Sequence, residues 1–213
     1  MKVTLIHITE NSERVIEEAG RTAYKSYSKI TKDSSAKFIK MLVKLGHHSV
    51  LEHAVASFRI SGVSRALTHQ LVRHRLASFT QQSQRYVSEK NFDYVIPPKI
   101  KASPEALKIF KTTMNQVREG YEKLVLLNIP KEDARFIIPN AVFTEIVVTA
   151  NFREFRHIFE LRCKGDAQWE IRAAALEMLR ILKRQAPNVF SDFVIDRKKN
   201  MAFISKQSPG KIE

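Results

Sequence analysis

Apolar residues recur at helical spacing along most of the chain, and two stretches interrupt that rhythm with strand-like composition. The spacing predicts helices near Ser12 to Tyr24 and from Ser34 to about Leu45, the second capped by Asp33 or Ser34 and closed by Gly46 just past its end. Ala54 to Ile60 alternates as a strand. Ser64 to Arg75 then carries Leu67, Leu71 and Val72 at helical spacing, and the Ser-, Thr- and Gln-rich Ala77 to Gln84 reads as loop. Ser103-Pro104-Glu105 starts a long helix, with Pro at the first helical position, that continues to about Asn128. Pro130 to Ile137 is a short helix, and Val142 to Ala150, rich in β-branched residues, is a second strand. Helices near Phe152 to Arg162 and Ala167 to Gln185 follow, the last stopping before Pro187.

Few strands among long helices predict an α+β fold, with helices packed on a small, mostly antiparallel sheet. No Pro/Gly/Ser-rich linker divides the 213 residues, so a single domain over residues 1–213 is expected, ending in a basic tail from about residue 196. With 44% hydrophobic residues and only 6 Gly and 7 Pro, disordered and collagen-like classes are excluded. The lone Cys163 excludes an internal disulfide framework and fits a reducing, cytoplasmic setting. The apolar run at Met1 to Glu10 is too short for a signal peptide, and nothing approaches the ~20 apolar residues of a membrane span.

Charge changes the picture more. The formal net charge of +14 predicts anionic ligands. The tail explains little of it, because Arg197, Lys198, Lys199, Lys206 and Lys211 are partly offset by Asp196 and Glu213. From Ala54 to Ser88 there is no acidic residue and no lysine, yet Arg59, Arg65, Arg73, Arg75 and Arg85 all fall there. Arginine offers carboxylate and phosphate a planar donor fork, so this stretch favours fixed anion contacts. Neither a Gly-x-Gly-x-x-Gly nor a P-loop can be written, which leaves phosphate to side chains. His47, His48 and His53 lack the spacing of a His-Glu-x-x-His metal helix, so no metal is expected.

The densest chemistry lies in Arg73-His74-Arg75-Leu76-Ala77-Ser78-Phe79-Thr80-Gln81-Gln82-Ser83-Gln84-Arg85-Tyr86. If the helix extends to Arg75, Arg73 and Arg75 point about 200° apart and Gln70 lies one turn before Arg73. A basic helix end that merely complements its own dipole would look similar, at ~0.3–1 kcal/mol. A basic helical nucleic-acid-binding domain is the alternative of another class, although aromatics are not interleaved with the basic cluster as a stacking platform requires.

The stretch resembles the signature Arg-His-Arg-x-x-Ser-x-x-x-x-Ser-x-Arg of the flavin-dependent thymidylate synthases, matched at Arg73, His74, Arg75, Ser78, Ser83 and Arg85. Gly46-His47-His48-Ser49-Val50-Leu51-Glu52-His53 upstream, and Asn151-Phe152-Arg153 through Leu161-Arg162 to Ala167-Gln168-Trp169-Glu170-Ile171 downstream, are similar to the same family. The chain departs from some members at Gln81 and Asp166, where those carry glutamate and histidine.

The resemblance implies conversion of dUMP to dTMP, with methylenetetrahydrofolate as one-carbon donor and NADPH reducing a bound FAD, in a homotetramer whose subunits share active sites. It implies FAD contacts at Ser49, Arg73, His74, Arg75, Asn151, Arg153 and His157. For dUMP it implies Gln70, Arg73, Gln81, Ser83, Gln84, Arg85, Arg135 and Arg162, with Arg162 polarising the uracil and no enzyme nucleophile. Cys163 is then a bystander and Trp169 a packing residue. All these ligands are anions, which accounts for the basic composition; neither nucleic acid nor membrane is an expected partner.

Overall fold

The computed structural model describes residues 1–87 and 89–205. In chain order the elements are β1 (Lys2–Ile8), α1 (Ser12–Thr22), α2 (Ser34–Lys44), a 3-10 segment (His48–His53), β2 (Val55–Ser64), α3 (Arg65–Leu71), β3 (Ser78–Gln81), α4 (Pro98–Lys101), α5 (Pro104–Leu126), α6 (Lys131–Ala134), β4 (Phe143–Asn151), α7 (Phe152–Arg162), α8 (Trp169–Gln185), β5 (Phe193–Asp196) and β6 (Met201–Ile204). This is the expected α+β class: a small antiparallel sheet in the order β1-β2-β4-β3, a separate β5-β6 pair, and helices.

The long elements follow the sequence pattern, and the differences are local. β2 continues past Ile60 to Ser64, and Gly62 within it, at φ 64, adopts a conformation that a side-chain-bearing residue resists. α3 stops at Leu71 instead of reaching Arg75, so Arg73 and Arg75 are not helical and the 200° argument does not apply to them. A backbone bond from Ala77 N–H to the His74 carbonyl turns the chain there. Ala77 to Gln84 is not all loop, since Ser78–Gln81 forms β3 at the end of the sheet order. An end strand needs only one covered face, and Phe79 and Gln81 alternate with exposed Ser78 and Thr80. The expected tail is structured as far as Ser205: β5 and β6 pair antiparallel from Phe193↔Ile204 to Asp196↔Met201, with Asn200 at φ 49 in the connection. Lys206 and Lys211 lie outside the described residues.

Two compact units emerge, neither a continuous stretch of chain. One comprises Met1–Lys2, Ile60–Leu71 and Thr80–Ile146; the other comprises Val3–Arg59, Val72–Phe79 and the residues from Val147 onward. In the first, Phe92, Met114 and Val142 are buried together with Tyr94, Phe110 and Val117 against them. The Arg118 guanidinium covers the Phe92 and Tyr94 rings at 5.3 and 5.1 Å and donates from Nε and Nη2 to the Phe92 carbonyl, so its plane packs while its N–H groups are paired. Ser103 caps α5 by accepting from Ala106 N–H.

In the second unit α7 packs on α8, and α1 on α2. Phe152, Phe155, Ile158 and Phe159 form the buried stripe of α7, while Arg153, His157 and Leu161, spaced by four, stay exposed on the same helix. Asn151 fixes where α7 begins: its Oδ1 accepts from Glu154 N–H at 2.9 Å. Among the described residues no helix is long and apolar enough to cross a membrane.

Candidate functional site

An open cavity of about 680 Å3 in the second unit is lined by Arg73, His74, Arg75, Leu76, Glu154, His157, Leu161 and Arg162. Two segments far apart in sequence build it: the turn after α3 supplies Arg73 to Leu76, and α7 supplies the rest. Because α7 is held by its Phe stripe and its Asn151 cap, Glu154, His157 and Leu161 are presented about one turn apart, with Arg162 directly after Leu161.

His74 is the buried centre of this wall, with 4% of its surface exposed. Its Nε2 accepts from Arg162 Nε at 3.0 Å, its Nδ1 lies 3.4 Å from Glu154 Oε1, and its ring meets the His157 ring edge-on at 5.7 Å. Burial, then the neighbouring Arg162 and His157, push its pKa down to about 4, so His74 is neutral at physiological pH. Arg162 is itself pushed below the usual guanidinium range, first by burial and then by Arg73. A guanidinium remains charged through such a shift. Glu154, also 4% exposed, has its carboxyl raised by burial, an effect opposed by His157.

The depressed His74 pKa has a stability consequence. Above the ordinary histidine value of 6.5 the ring is neutral folded or unfolded and contributes no pH dependence. Below it the unfolded chain takes a proton that folded His74 refuses, and stability falls until pH reaches about 4, by about 3 kcal/mol in all. Glu154 acts in the opposite sense, because a raised carboxyl binds its proton earlier in the folded state. Urea unfolding at pH 7 and 4.5 is therefore expected to show acid destabilisation that shrinks in His74→Asn. Parallel losses in both proteins would show that His74 is not held neutral.

Of the residues expected at FAD, Arg73, His74, Arg75 and His157 line the cavity, together with Arg162. Ser49, Asn151 and Arg153 belong to the same unit but do not line it. Ser49 is exposed in the 3-10 segment, Asn151 is committed through Oδ1 to its cap, and exposed Arg153 donates to Glu52 at 2.5 Å.

Most residues expected at dUMP fall in the first unit. Gln81 Nε2 donates to Thr68 Oγ1 at 2.9 Å and Thr144 Oγ1 at 3.2 Å. Ser83 Oγ accepts from Arg85 N–H, and Gln70 Nε2 donates to the Ala66 carbonyl. Gln84 is buried. Arg85 Nε meets Glu132 Oε2 at 2.8 Å, and Arg135 Nε donates to the Glu132 carbonyl. The acid-free stretch thus acquires acids from elsewhere in the chain, Glu132 at Arg85 and Glu154 at His74. Sequence reasoning missed Glu154, although its place three residues before His157 and eight before Arg162, on one helix, was the available signal.

Among the described residues no group of three or more His, Cys, Asp or Glu is placed to hold a metal ion. Cys163 is fully buried, and burial pushes its thiol up to about 12.

The family profile described as thymidylate synthase complementing protein matches residues 4–188, spanning the turn after α3 and all of α7. The chain belongs to the flavin-dependent thymidylate synthase family. A flavin-dependent thymidylate synthase of Geobacter sulfurreducens is 44% identical over 200 residues, covering 90% of this chain and 86% of that protein. Its counterpart in Clostridium tetani is 41% identical over 212 residues, with 89% and 85% covered. That of Pyrococcus abyssi is 43% identical over 196 residues, with 87% and 80% covered. Membership of this enzyme family supports the enzyme reading over the nucleic-acid-binding alternative.

Proposed function

We propose that the protein binds FAD and converts dUMP to dTMP, taking the one-carbon unit from methylenetetrahydrofolate and reducing equivalents from NADPH. The observation that carries this reading is the cavity walled by Arg73, His74, Arg75, His157 and Arg162 in a chain of this family. Its donor set fits FAD. Arginine forks suit the phosphates, Leu76 and Leu161 supply apolar wall for a ring system, and Glu154, the one carboxylate in the lining, faces His74. A volume of about 680 Å3 also falls within the usual range for cofactor sites. When bound, FAD supplies the hydride chemistry that links NADPH to reduction of the one-carbon unit.

Arg73, His74, Arg75 and His157 would hold the cofactor, joined by Ser49, Asn151 and Arg153 as the homotetramer brings further segments to it. Arg153 must exchange Glu52 for ligand, and Arg85 must exchange Glu132. Both pairs are about half exposed, and such surface pairs are worth only ~0–1 kcal/mol, so a phosphate displaces them at little cost. Gln70, Gln81, Ser83, Gln84, Arg85 and Arg135 would bind dUMP with Arg73 and Arg162. Arg162 polarises the uracil: a cation at a carbonyl oxygen stabilises the enolate-like charge that develops as the ring carbon attacks the one-carbon unit.

Purified protein is expected to be yellow, to bleach on anaerobic addition of NADPH, and to bleach faster with dUMP present. A colourless protein that also fails to take up added FAD overturns the proposal.

A further inference from the structure

We propose that Glu154 is a positioning residue, which acts through His74 to set the orientation of the Arg162 guanidinium. The inference rests on the reading of Arg162 as the group that polarises the uracil, and adds a residue to it.

Arg162 Nε has only a proton to offer, so the 3.0 Å contact requires a lone pair at His74 Nε2. A neutral imidazole with its lone pair at Nε2 carries its proton at Nδ1. That nitrogen lies 3.4 Å from Glu154 Oε1, a group able to accept. The order is therefore carboxylate, Nδ1–H, Nε2 lone pair, Nε–H, and each partner fixes the next. With the opposite tautomer, two N–H groups would confront each other at the Arg162 contact.

Burial makes the choice strict. His74 and Glu154 are each 4% exposed, so solvent cannot readily substitute for either partner. The ring is kept neutral by its surroundings, so it cannot escape the choice by carrying both protons. A bond at Nε also fixes the plane of a guanidinium, which a long flexible side chain would otherwise vary. Glu154 is itself placed by the start of α7, where its N–H is held by Asn151 at 2.9 Å. The cap, the carboxylate, the imidazole and the arginine thus form one train from the beginning of α7 to its end.

Two substitutions separate this role from simple packing. Glu154→Gln keeps a carbonyl oxygen able to accept from Nδ1–H, whereas Glu154→Leu removes it at similar volume. The direct readout is the 15N spectrum of the imidazole of His74, assigned by its loss in His74→Asn. Wild type and Glu154→Gln are expected to show the Nδ1–H tautomer, and Glu154→Leu a shift towards Nε2–H. Turnover at saturating dUMP should fall about 10- to 100-fold in Glu154→Leu, with FAD content unchanged, and stay within a few fold in Glu154→Gln. An unchanged tautomer in Glu154→Leu, or equal loss of turnover in both variants, overturns the proposal. The tautomer is read without turnover, so failure of Arg162 as the polarising group, seen as an active Arg162→Ala enzyme, is a separate result.

Discussion

Arg162→Ala is expected to lower thymidylate formation by roughly 10²–10³-fold at saturating FAD and dUMP, the usual size of losing one donor to a developing oxyanion. The reasons are local. Arg162 ends α7, its Nε is held by His74 at 3.0 Å, and it lines the same cavity as Arg73 and Arg75. Burial and Arg73 both press against its charge, and a cation in so unfavourable a setting is stabilised by negative charge arriving nearby. FAD should stay bound, because Arg73, His74, Arg75 and His157 remain. Arg162→Lys should recover only part of the rate, since one ammonium cannot both accept orientation from His74 and present a planar fork. The control is Cys163→Ala at the neighbouring position. Cys163 is fully buried with its thiol pushed up to about 12, so almost none is thiolate at neutral pH and most of the activity should survive its loss. Near-normal turnover in Arg162→Ala alongside an inactive Cys163→Ala would replace the electrostatic mechanism with a nucleophilic one.

The same helix shows how far sequence reading reached. The expected helix near Phe152 to Arg162 coincides with α7, whose Phe residues recur at helical period, while the Asn151 cap emerged only in the structure. His157 and Arg162, which line the cavity, were named through the family resemblance of the downstream segment, without reference to geometry. The link between them was not. Glu154 meets His74 across 80 positions of sequence, and neither spacing nor composition encodes which distant carboxylate a buried imidazole will find. β3 was hidden for a related reason: Ser78 to Gln81 is polar enough for a loop and becomes a strand only because β4 offers it a free edge. β5 and β6 are strands of four residues each, and β1, whose partner lies far along the chain, falls in the N-terminal segment that was read only for targeting. The end of α3 has no Gly or Pro to mark it, so helical spacing overran it to Arg75.

The largest stability effect is expected at a pair that supports α7 and was invisible in the sequence. Arg156, 2% exposed, donates from both terminal nitrogens to Asp192 at 2.8 and 2.6 Å, and also to the Val189 carbonyl at 2.7 Å. Its guanidinium lies over the Phe193 ring at 5.0 Å. The pair ties the helix carrying Glu154, His157 and Arg162 to the segment after α8. Its net contribution is small, because the attraction is offset by the cost of taking both charges out of water. Breaking it is different. Asp192→Ala leaves a buried guanidinium with its bidentate partner gone, and should cost about 3–5 kcal/mol. Asp192→Asn, which retains one accepting oxygen, should lose less. Adding Arg156→Met to Asp192→Ala removes the stranded charge while filling much of its volume, so stability should return towards wild type although no interaction has been restored. Urea titrations of the three variants at pH 7 measure this as shifts in midpoint at constant slope. A loss below about 1 kcal/mol in Asp192→Ala, or a double variant weaker than the single one, would mean that solvent reaches Arg156 and that α7 is held by its Phe stripe alone.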